Sequence, residues 1–173
     1  IRHAKAGREA SITLKLNSLS DTMLIEKLYQ AAAAGVTINL IVRSICCAMT
    51  DQKKIRQHVT AISIVDEYLE HARVMIFHNN GKEKIFISSA DWMVRNLDHR
   101  VEAAVPVTEP GIRKELKDII HIQLRDNVKA RILNHELSNN YVPSEGKKLI
   151  RSQIETYHYL YKQNTVHSET RSH

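Results

Sequence analysis

The sequence has few cysteines, few aromatic side chains and no long apolar run. Its two cysteines, Cys46 and Cys47, are adjacent, which suits neither a disulfide nor the Cys-x-x-Cys spacing of zinc and redox sites. We interpret them as buried apolar residues of a protein in a reducing cytoplasm. No run approaches the roughly 18 apolar residues of a membrane-spanning helix, and the sequence contains no signal-peptide pattern. One Trp and two Phe argue against a base-stacking platform for nucleic acid.

Several signatures of catalytic and metal sites are also missing. There is no Gly-x-x-x-x-Gly-Lys loop, which excludes a phosphoryl-transfer protein of the P-loop type. There is no Gly-x-Ser-x-Gly, which argues against a Ser-His-Asp hydrolase. Histidines, cysteines and carboxylates do not follow metal-ligand spacing, so we predict no metal ligand in this chain.

Basic residues are in excess. The formal net charge is +6 and the sequence pI is about 9.4, which favours a polyanionic partner such as nucleic acid, a nucleotide, polyphosphate or an acidic lipid surface. The length of 173 residues and the apolar content of 43% are typical of one globular domain. The first residue is Ile rather than Met, and we expect the chain to be a domain of a longer protein.

The first part of the chain predicts a strand-helix-strand unit. Ala10–Asn17 alternates in polarity and predicts a strand. Ser20 or Asp21 is a suitable cap for the helix that follows, and Gly35 ends it. Val36–Arg43 is almost wholly apolar and β-branched, which indicates a buried parallel strand.

The second part adds a hairpin, a further strand and helices. RVMIF and KIFIS predict two strands, because the Asn80-Gly81 between them is a strong hairpin signal. Residues 62–71 carry apolar side chains at helical spacing. The other predicted elements are a strand over 100–107, a helix over 111–133, a helix over 146–163 with Ile150, Ile154, Tyr157 and Tyr161 facing inward, and a disordered tail over 164–173. Together they predict an α/β domain with a mixed β-sheet flanked by helices.

The hairpin carries residues suited to chemistry. His71 stands just before its first strand, and Arg73, two residues on, would lie on the same face. Ser88 and Ser89 end the second strand and return to the His71 end. Imidazole can act as nucleophile, acid or base near neutral pH, so these residues predict a shared site. The alternative is that His71 only caps helix carbonyls. Arg43 closes a parallel strand, where ligands bind in α/β sheets.

Two further polar groups have open interpretations. Asn96, Arg100 and Glu102 lead into the predicted strand over 100–107, where the Arg can hold a phosphate and the Glu can orient it or bind a metal. The alternative is a salt-bridged strand edge. The second group is a basic cluster near the end of the predicted helix over 111–133, and it is either a phosphate-binding surface or a solvated face: Arg125, Lys129 and Arg131.

His-Ala-Arg and Ser-Ser-Ala-Asp resemble a degenerate His-x-Lys … Gly-Ser-x-Asn half-site of the phospholipase D-like superfamily. Arg73 stands for the lysine, and residues 88–91 stand for Gly-Ser-x-Asn. The acidic residue expected seven positions after the histidine is missing, because His78 is there. In that superfamily two such half-sites face each other.

A longer resemblance is to the polyphosphate kinase family, whose carboxy-terminal part is built on that fold. It runs from Ala4 to Tyr161 in unbroken order. Ser44 occupies a position that is usually Gly, and Glu67 one that is often basic. The blocks that carry the resemblance are INLIVRSICC, SIVDEYLEHARV, ISSADWMVRNLDHRVE, DNVKARIL and ELSNNYV.

The resemblance implies an enzyme that reversibly moves the terminal phosphate of ATP onto polyphosphate through a phosphohistidine, with Mg²⁺. The phosphorylated histidine would lie in the preceding half-domain, so this fragment alone should be inactive. By matching position, Arg43 and His71 would contact the nucleotide phosphates, with His71 as acid or base opposite the missing nucleophile. The other residues implied in the cleft are Arg73, Ser88, Ser89, Asn96, Arg100 and Glu102, with Arg125, Lys129 and Arg131 along a polyphosphate path.

The resemblance also sets expectations about the whole protein. Residues 1–163 would be the C-terminal phospholipase D-like domain of a cytoplasmic homo-oligomer that binds ATP, ADP, inorganic polyphosphate and the preceding half-domain. Peripheral membrane association is compatible with the basic charge, and no specific nucleic acid is expected. Two alternatives stay open: a phospholipase D-like phosphodiesterase or nuclease half that acts as a homodimer, and a polyanion-binding module without chemistry.

Overall fold

The protein folds around one mixed seven-stranded sheet with helices on both faces. The structure, a computed structural model, describes residues 1–170, with side chains up to residue 165. The sheet order is β6-β5-β4-β1-β2-β3-β7. The strands are β1 Ser11–Leu16, β2 Thr37–Val42, β3 Val59–Ile64, β4 Arg73–Phe77, β5 Lys84–Ser88, β6 Ala104–Pro106 and β7 Ala130–Ile132. The helices are α1 Arg2–Lys5, α2 Thr22–Ala33, α3 Val94–Leu97, α4 Pro110–Leu124 and α5 Ser152–Thr170. The predicted α/β class with a mixed sheet is confirmed.

The centre of the sheet is the predicted strand-helix-strand unit. Strands β1, β2 and β3 are parallel, with Leu14 opposite Leu40. Asp21 is the cap of α2, and its carboxylate accepts a hydrogen bond from the Leu24 N–H at 2.8 Å. Gly35 follows the helix at φ +92°, a conformation that glycine adopts without strain and that ends the helix.

Antiparallel strands extend the sheet at both edges. The hairpin β4–β5 pairs Arg73 with Ser88, and its turn over Asn79–Gly81 places Asn80 at φ 57°. Strand β4 also pairs antiparallel with β1, β6 extends the hairpin, and β7 covers β3. This pairing brings the start of β4 and the end of β5 next to the C-terminal ends of β1 and β2, on the edge of the sheet that is formed by strand ends.

Apolar side chains fill both faces of the sheet. On one face, Leu14, Leu16 and Leu40 pack against Leu28 of α2. On the other face the core contains Ile120 of α4 with four strand residues of the same cluster, Ile41, Ile62, Val74 and Ile85. Of the described helices, none is long and apolar enough to cross a membrane.

The helical segment predicted over residues 62–71 is wrong. Its first three residues end β3, which pairs with β2, and residues 65–72 form an irregular segment that we call the β3–β4 loop. Val65, Tyr68 and Leu69, three of the apolar residues at helical spacing, are exposed by 66%, 66% and 72%. The helical spacing therefore came from a strand end joined to exposed loop positions.

The predicted helix over 111–133 is too long. Helix α4 ends at Leu124, and the Asp126 carboxylate then accepts hydrogen bonds from the N–H groups of residues 128, 129 and 130. These bonds replace the helical pattern, and the chain continues into β7 on the edge beside β3. The strand predicted over 100–107 is reduced to Ala104–Pro106, because residues 100–103 are irregular.

The last helix differs from the prediction in start and orientation. It begins at Ser152 instead of residue 146, and its predicted inner face points outward, with Tyr157 and Tyr161 exposed by 64% and 61%. Ile154, one turn earlier, is exposed by 37%. Of the tail over 164–173 that the sequence predicts to be disordered, residues 164–170 belong to this helix. Residues 171–173 lie outside the described residues.

Candidate functional site

The site lies at the edge of the sheet where the parallel strands β1 and β2 end. Asn17 follows β1, and Arg43 follows β2. Because β4 and β5 run antiparallel beside β1, Arg73 at the start of β4 and Ser88 at the end of β5 reach the same edge. His71 enters it from the β3–β4 loop. Polar side chains that are distant in sequence thus meet at the usual ligand-binding end of an α/β sheet.

His71 lies between two guanidinium groups. Its Nδ1 is 3.3 Å from Arg43 Nη2, and its Nε2 is 3.1 Å from Arg73 Nη2. Arg73 Nη1 also donates to the His71 carbonyl at 3.3 Å. A neutral imidazole has one acceptor nitrogen and guanidinium only donates, so one of the two ring contacts sets donor against donor. His71 does not cap helix carbonyls, since no helix precedes it. An anionic oxygen between these groups would accept the surplus hydrogen bonds.

Arg73 is held by a buried carboxylate. Its Nη2 donates to Asp91 Oδ2 at 2.8 Å, and Asp91 is 2% exposed. The other oxygen of Asp91 accepts from the backbone N–H groups of Asn17 and Ser18 at 2.8 and 2.9 Å. Burial alone would raise the pKa of Asp91, but the bonds from Arg73 and Ser18 bring it below its usual value. Asp91 is therefore a fixed anion that positions Arg73 beside His71.

Arg43 is fixed from the other side of the imidazole. Its Nη2 donates to Asn17 Oδ1, and the Asn17 amide also contacts Asp91 Oδ2 at 3.3 Å. The buried Nε atoms of Arg43 and Arg73 have no hydrogen-bond partner within the described part of the chain.

A second cluster surrounds Glu102. This carboxylate accepts hydrogen bonds from the Ser89 hydroxyl and, at 2.6 Å, from the Asn96 amide. The Ser89 bond, followed by that of Asn96, lowers the pKa of Glu102. The Ser88 hydroxyl accepts from the Ala90 N–H at 3.0 Å and donates to the Ala103 carbonyl at 3.2 Å. Asn96, Ser89 and Glu102 therefore brace the segment that follows β5, next to Arg73.

The remaining predicted residues do not join these clusters. Arg100 is exposed and makes no hydrogen bond or ion pair among the described residues, and it acts on the second cluster only through its charge, which helps to lower the pKa of Glu102. The predicted basic helix face does not exist, because Arg125 ends α4, Lys129 precedes β7 and Arg131 lies on β7. Lys129 Nζ is 3.7 Å from an Asp66 oxygen. Arg131 stacks on the Tyr141 ring at 4.0 Å and bonds its hydroxyl at 2.8 Å.

Neither Ser44 nor Glu67, the two departures from the resemblance, disturbs the site. Ser44 has no left-handed backbone, and its N–H donates to the Asn17 carbonyl at 2.8 Å. Glu67 accepts from Arg151 at 3.1 Å. His78 is at the far end of β4 and contacts the Glu9 carbonyl at 3.0 Å.

Sequence reasoning did not place Asn17 or Asp91 among the site residues. Asp91 stands in Ser-Ser-Ala-Asp, and its spacing from Arg73 across the hairpin was the available signal. For Asn17 the only signal was its position directly after β1, which ends beside β2. A cavity of about 340 Å³ behind His71 was also not predicted; it is lined by Lys15, Glu70, Gln123, Gln153 and apolar side chains of β4 and α4.

Comparison with known proteins gives one family. The sequence model described as Polyphosphate kinase C-terminal domain 2 matches residues 1–153. The polyphosphate kinase of Vibrio parahaemolyticus is 46% identical over 160 residues, which cover 92% of this chain and 23% of that protein. The polyphosphate kinase of Escherichia coli K12 gives the same identity and coverage. The chain thus spans about a quarter of the length of the relatives it matches.

Solved structures agree with the sequence comparisons. The crystal structure of polyphosphate kinase from Porphyromonas gingivalis superposes with a TM-score of 0.92 at 45% identity, covering 95% of this chain and 25% of that one. A phospholipase D family member, Nuc from Salmonella typhimurium, matches with a TM-score of 0.56 at 14% identity, covering 76% of this chain and 86% of that one. This second likeness shows the fold, which is phospholipase D-like. Sequence and structure together show that the chain belongs to the polyphosphate kinase family, as its C-terminal domain 2.

Proposed function

We propose that this domain supplies one half of the phosphoryl-transfer site of a cytoplasmic polyphosphate kinase. The reaction is the reversible transfer of the terminal phosphate of ATP to inorganic polyphosphate. The phosphoryl group passes through a phosphohistidine of the preceding half-domain, outside this chain. Arg43, His71 and Arg73 form the half of the site that this domain contributes.

The observation that carries the proposal is the placement of His71 between two guanidinium groups. The two ring contacts, at 3.3 and 3.1 Å, cannot both be hydrogen bonds, so one guanidinium N–H is left in need of another acceptor. A phosphate oxygen is such an acceptor and also carries the opposite charge to Arg43 and Arg73. The fixed geometry of Arg73, paired with Asp91, means that little reorganisation is needed when the phosphate enters.

The chemistry required of this half is positioning and charge neutralisation. In the forward direction the bond from the γ-phosphorus of ATP to ADP breaks as a bond to the imidazole of the preceding half-domain forms. A terminal polyphosphate oxygen then attacks that phosphorus and displaces the histidine. Arg43 and Arg73 neutralise charge on the non-bridging oxygens, and His71 gives or takes the proton of the leaving or attacking oxygen.

Mg²⁺ would enter with ATP as the counter-ion of its phosphates. No group of three or more His, Cys, Asp or Glu side chains in the described region could hold a metal ion. The carboxylates at this edge are engaged, Asp91 by Arg73 and Glu102 by Ser89 and Asn96. Mg²⁺ held mainly by phosphate oxygens is a common arrangement, and it supplies further charge neutralisation.

The test is phosphate transfer by a full-length polyphosphate kinase that carries this domain. His71→Ala and Arg43→Gln should each lower kcat by about 30- to 1000-fold, which corresponds to about 2–4 kcal/mol of lost transition-state stabilisation. The exposed His121 of α4 provides the matched histidine control, and His121→Ala should retain full activity. Equal activities of His71→Ala and His121→Ala would remove His71 from the site.

Two alternative functions give different results with the same chain. A phosphodiesterase or nuclease half would hydrolyse a model diester such as bis(p-nitrophenyl) phosphate as a homodimer, and His71→Ala would abolish that reaction. A polyanion-binding module would bind polyphosphate equally well after His71→Ala. It would lose binding when Arg125, Lys129 and Arg131 are replaced by neutral residues.

A further inference from the structure

The β3–β4 loop, residues 65–72, carries His71 but has no regular structure of its own. Its large side chains at Val65, Tyr68 and Leu69 point to solvent. His71 is itself exposed. A loop with so few buried apolar contacts does not hold a catalytic imidazole in place by packing. Its position must come from specific polar contacts.

Those contacts come largely from the first residues of α5. The side-chain amide of Gln153 accepts from the Tyr68 N–H at 2.9 Å and donates to the Tyr68 carbonyl at 2.8 Å. It therefore satisfies both backbone groups of one loop residue, as a neighbouring strand would. Gln153 Nε2 also lies 3.0 Å from Glu70 Oε1, next to His71 in sequence.

Glu70 is the point at which three elements hold the loop. Its carboxylate binds Lys15 Nζ of β1 at 3.0 Å, Gln123 Nε2 of α4 at 2.5 Å and Gln153 Nε2 of α5. Lys15 and Gln123 are 6% and 4% exposed. A buried ion pair gives little net stability, because desolvation of the charges offsets their attraction. Its fixed geometry is better suited to placing the neighbouring residue.

The start of the loop has a separate anchor. Both oxygens of Asp66 accept from Arg151 at 2.8 Å, one residue before α5 begins. On the other side of His71, Arg73 is fixed by Asp91. The backbone of His71 therefore lies between two anchored residues, Glu70 directly before it and Arg73 two positions after it.

We propose that Gln153 and Glu70 are positioning residues for His71, so that the start of α5 sets the imidazole between Arg43 and Arg73. Neither side chain contacts the phosphate; both act through the loop. The inference depends on the proposed role of His71. It adds that α5, the last helix described, is part of the catalytic apparatus through its first turn.

The experiment is a double-mutant cycle in the full-length kinase. Gln153→Ala should lower kcat by about 10- to 100-fold with a smaller change in the KM for ATP, because a misplacement of about 1 Å can cost that much in rate. In a His71→Ala background, Gln153→Ala should cause no further loss of kcat, since its effect passes through His71. Ile154→Ala, in the same turn of α5 but on its outer face, is the control and should keep the wild-type rate.

The outcomes separate this inference from the proposed function. A large loss for His71→Ala with none for Gln153→Ala overturns the positioning role alone. An additive loss in the double mutant shows that Gln153 acts independently of His71 and also overturns it. No loss for His71→Ala overturns the proposed function itself. Should Gln153→Ala fail to fold, Glu70→Gln serves in its place, because it keeps the side-chain shape while removing the charge that Lys15 pairs with.

Discussion

Arg73 and Asp91 form an ion pair of 2.8 Å across the hairpin, with the carboxylate 2% exposed. At both positions the residue differs from the His-x-Lys … Gly-Ser-x-Asn pattern, with Arg for lysine and Asp for asparagine. In the structure these two side chains pair with each other. The carboxylate holds the guanidinium in place and is itself held by backbone N–H groups of residues 17 and 18. The pair fixes an Arg donor beside His71.

Removing one partner of this pair should destabilise the fold more than replacing the other by its isostere. Arg73→Ala leaves the buried Asp91 unpaired and should lower the free energy of unfolding by about 3–5 kcal/mol. Asp91→Asn keeps an oxygen acceptor for the backbone and should cost about 1–3 kcal/mol. Urea unfolding of both variants measures the difference. A loss below about 0.5 kcal/mol for Arg73→Ala, as for an ordinary surface site, would contradict the structural role of the pair.

Acid should destabilise the protein through its bound carboxylates. Hydrogen bonds and charge partners lower the pKa of Asp66, Asp91 and Asp126 below the ordinary 3.8. A lowered folded-state pKa contributes stability that is present above the ordinary value and is lost as pH falls through the folded value. Unfolding free energy should therefore change little between about pH 7 and 5 from these groups and fall below about pH 4. Asp126→Asn should make that acid limb shallower, and an unchanged slope would exclude Asp126 as a contributor.

His135 should titrate above an ordinary histidine. The Asp51 carboxylate, 2.5 Å from its Nδ1, raises the pKa of His135 above 6.5 by stabilising the imidazolium. Proton NMR should show this titration, and Asp51→Asn should return it to the ordinary range. The pair lies on loops after β2 and β7, so Asp51→Asn should leave polyphosphate binding unchanged. A titration that does not move in Asp51→Asn would show that the pair does not form in solution.

The salt dependence of polyphosphate binding should show whether Arg43 contacts the polymer. Cations that neutralise a polyanion release its counterions, so log affinity falls linearly with log salt. Arg43→Gln should reduce that slope by about one contact, roughly 0.7 to 0.9 by analogy with nucleic acid. Arg56→Gln removes the same charge from an exposed site on the loop between β2 and β3 and should leave the slope unchanged. Equal slopes for wild-type and Arg43→Gln would mean that Arg43 does not contact the polymer.

The parts of the fold that local patterns determine were predictable. The β1-α2-β2 unit has alternation, a cap and a terminating glycine, and the β4–β5 hairpin has Asn80-Gly81. Strand β7 was not predictable, because the sequence around it, Lys-Ala-Arg-Ile-Leu over 129–133, favours a helix. Its strand conformation comes from Asp126, which binds the following N–H groups, and from pairing with β3, far away in sequence.

The site was predictable only where its residues stand in a hairpin or at a strand end. His71, Arg73 and the serines could be placed near one another from the antiparallel hairpin, and Arg43 could be placed at the end of a parallel strand. Lys15 and Gln153 could not, because a lysine on a strand and a glutamine on a helix are common surface residues. Only the three-dimensional packing of β1 and α5 on the β3–β4 loop gives them a role.

The central claim, that Arg43 and His71 form a phosphate-binding half-site, is tested most directly by calorimetry. The chain is titrated with long-chain polyphosphate and, separately, with ATP and Mg²⁺, as wild type, Arg43→Gln, His71→Ala and the control Arg56→Gln. We predict that Arg43→Gln and His71→Ala each weaken binding at least about tenfold, or about 1.4 kcal/mol, with unchanged thermal unfolding. Affinities of both variants equal to that of Arg56→Gln would contradict the claim.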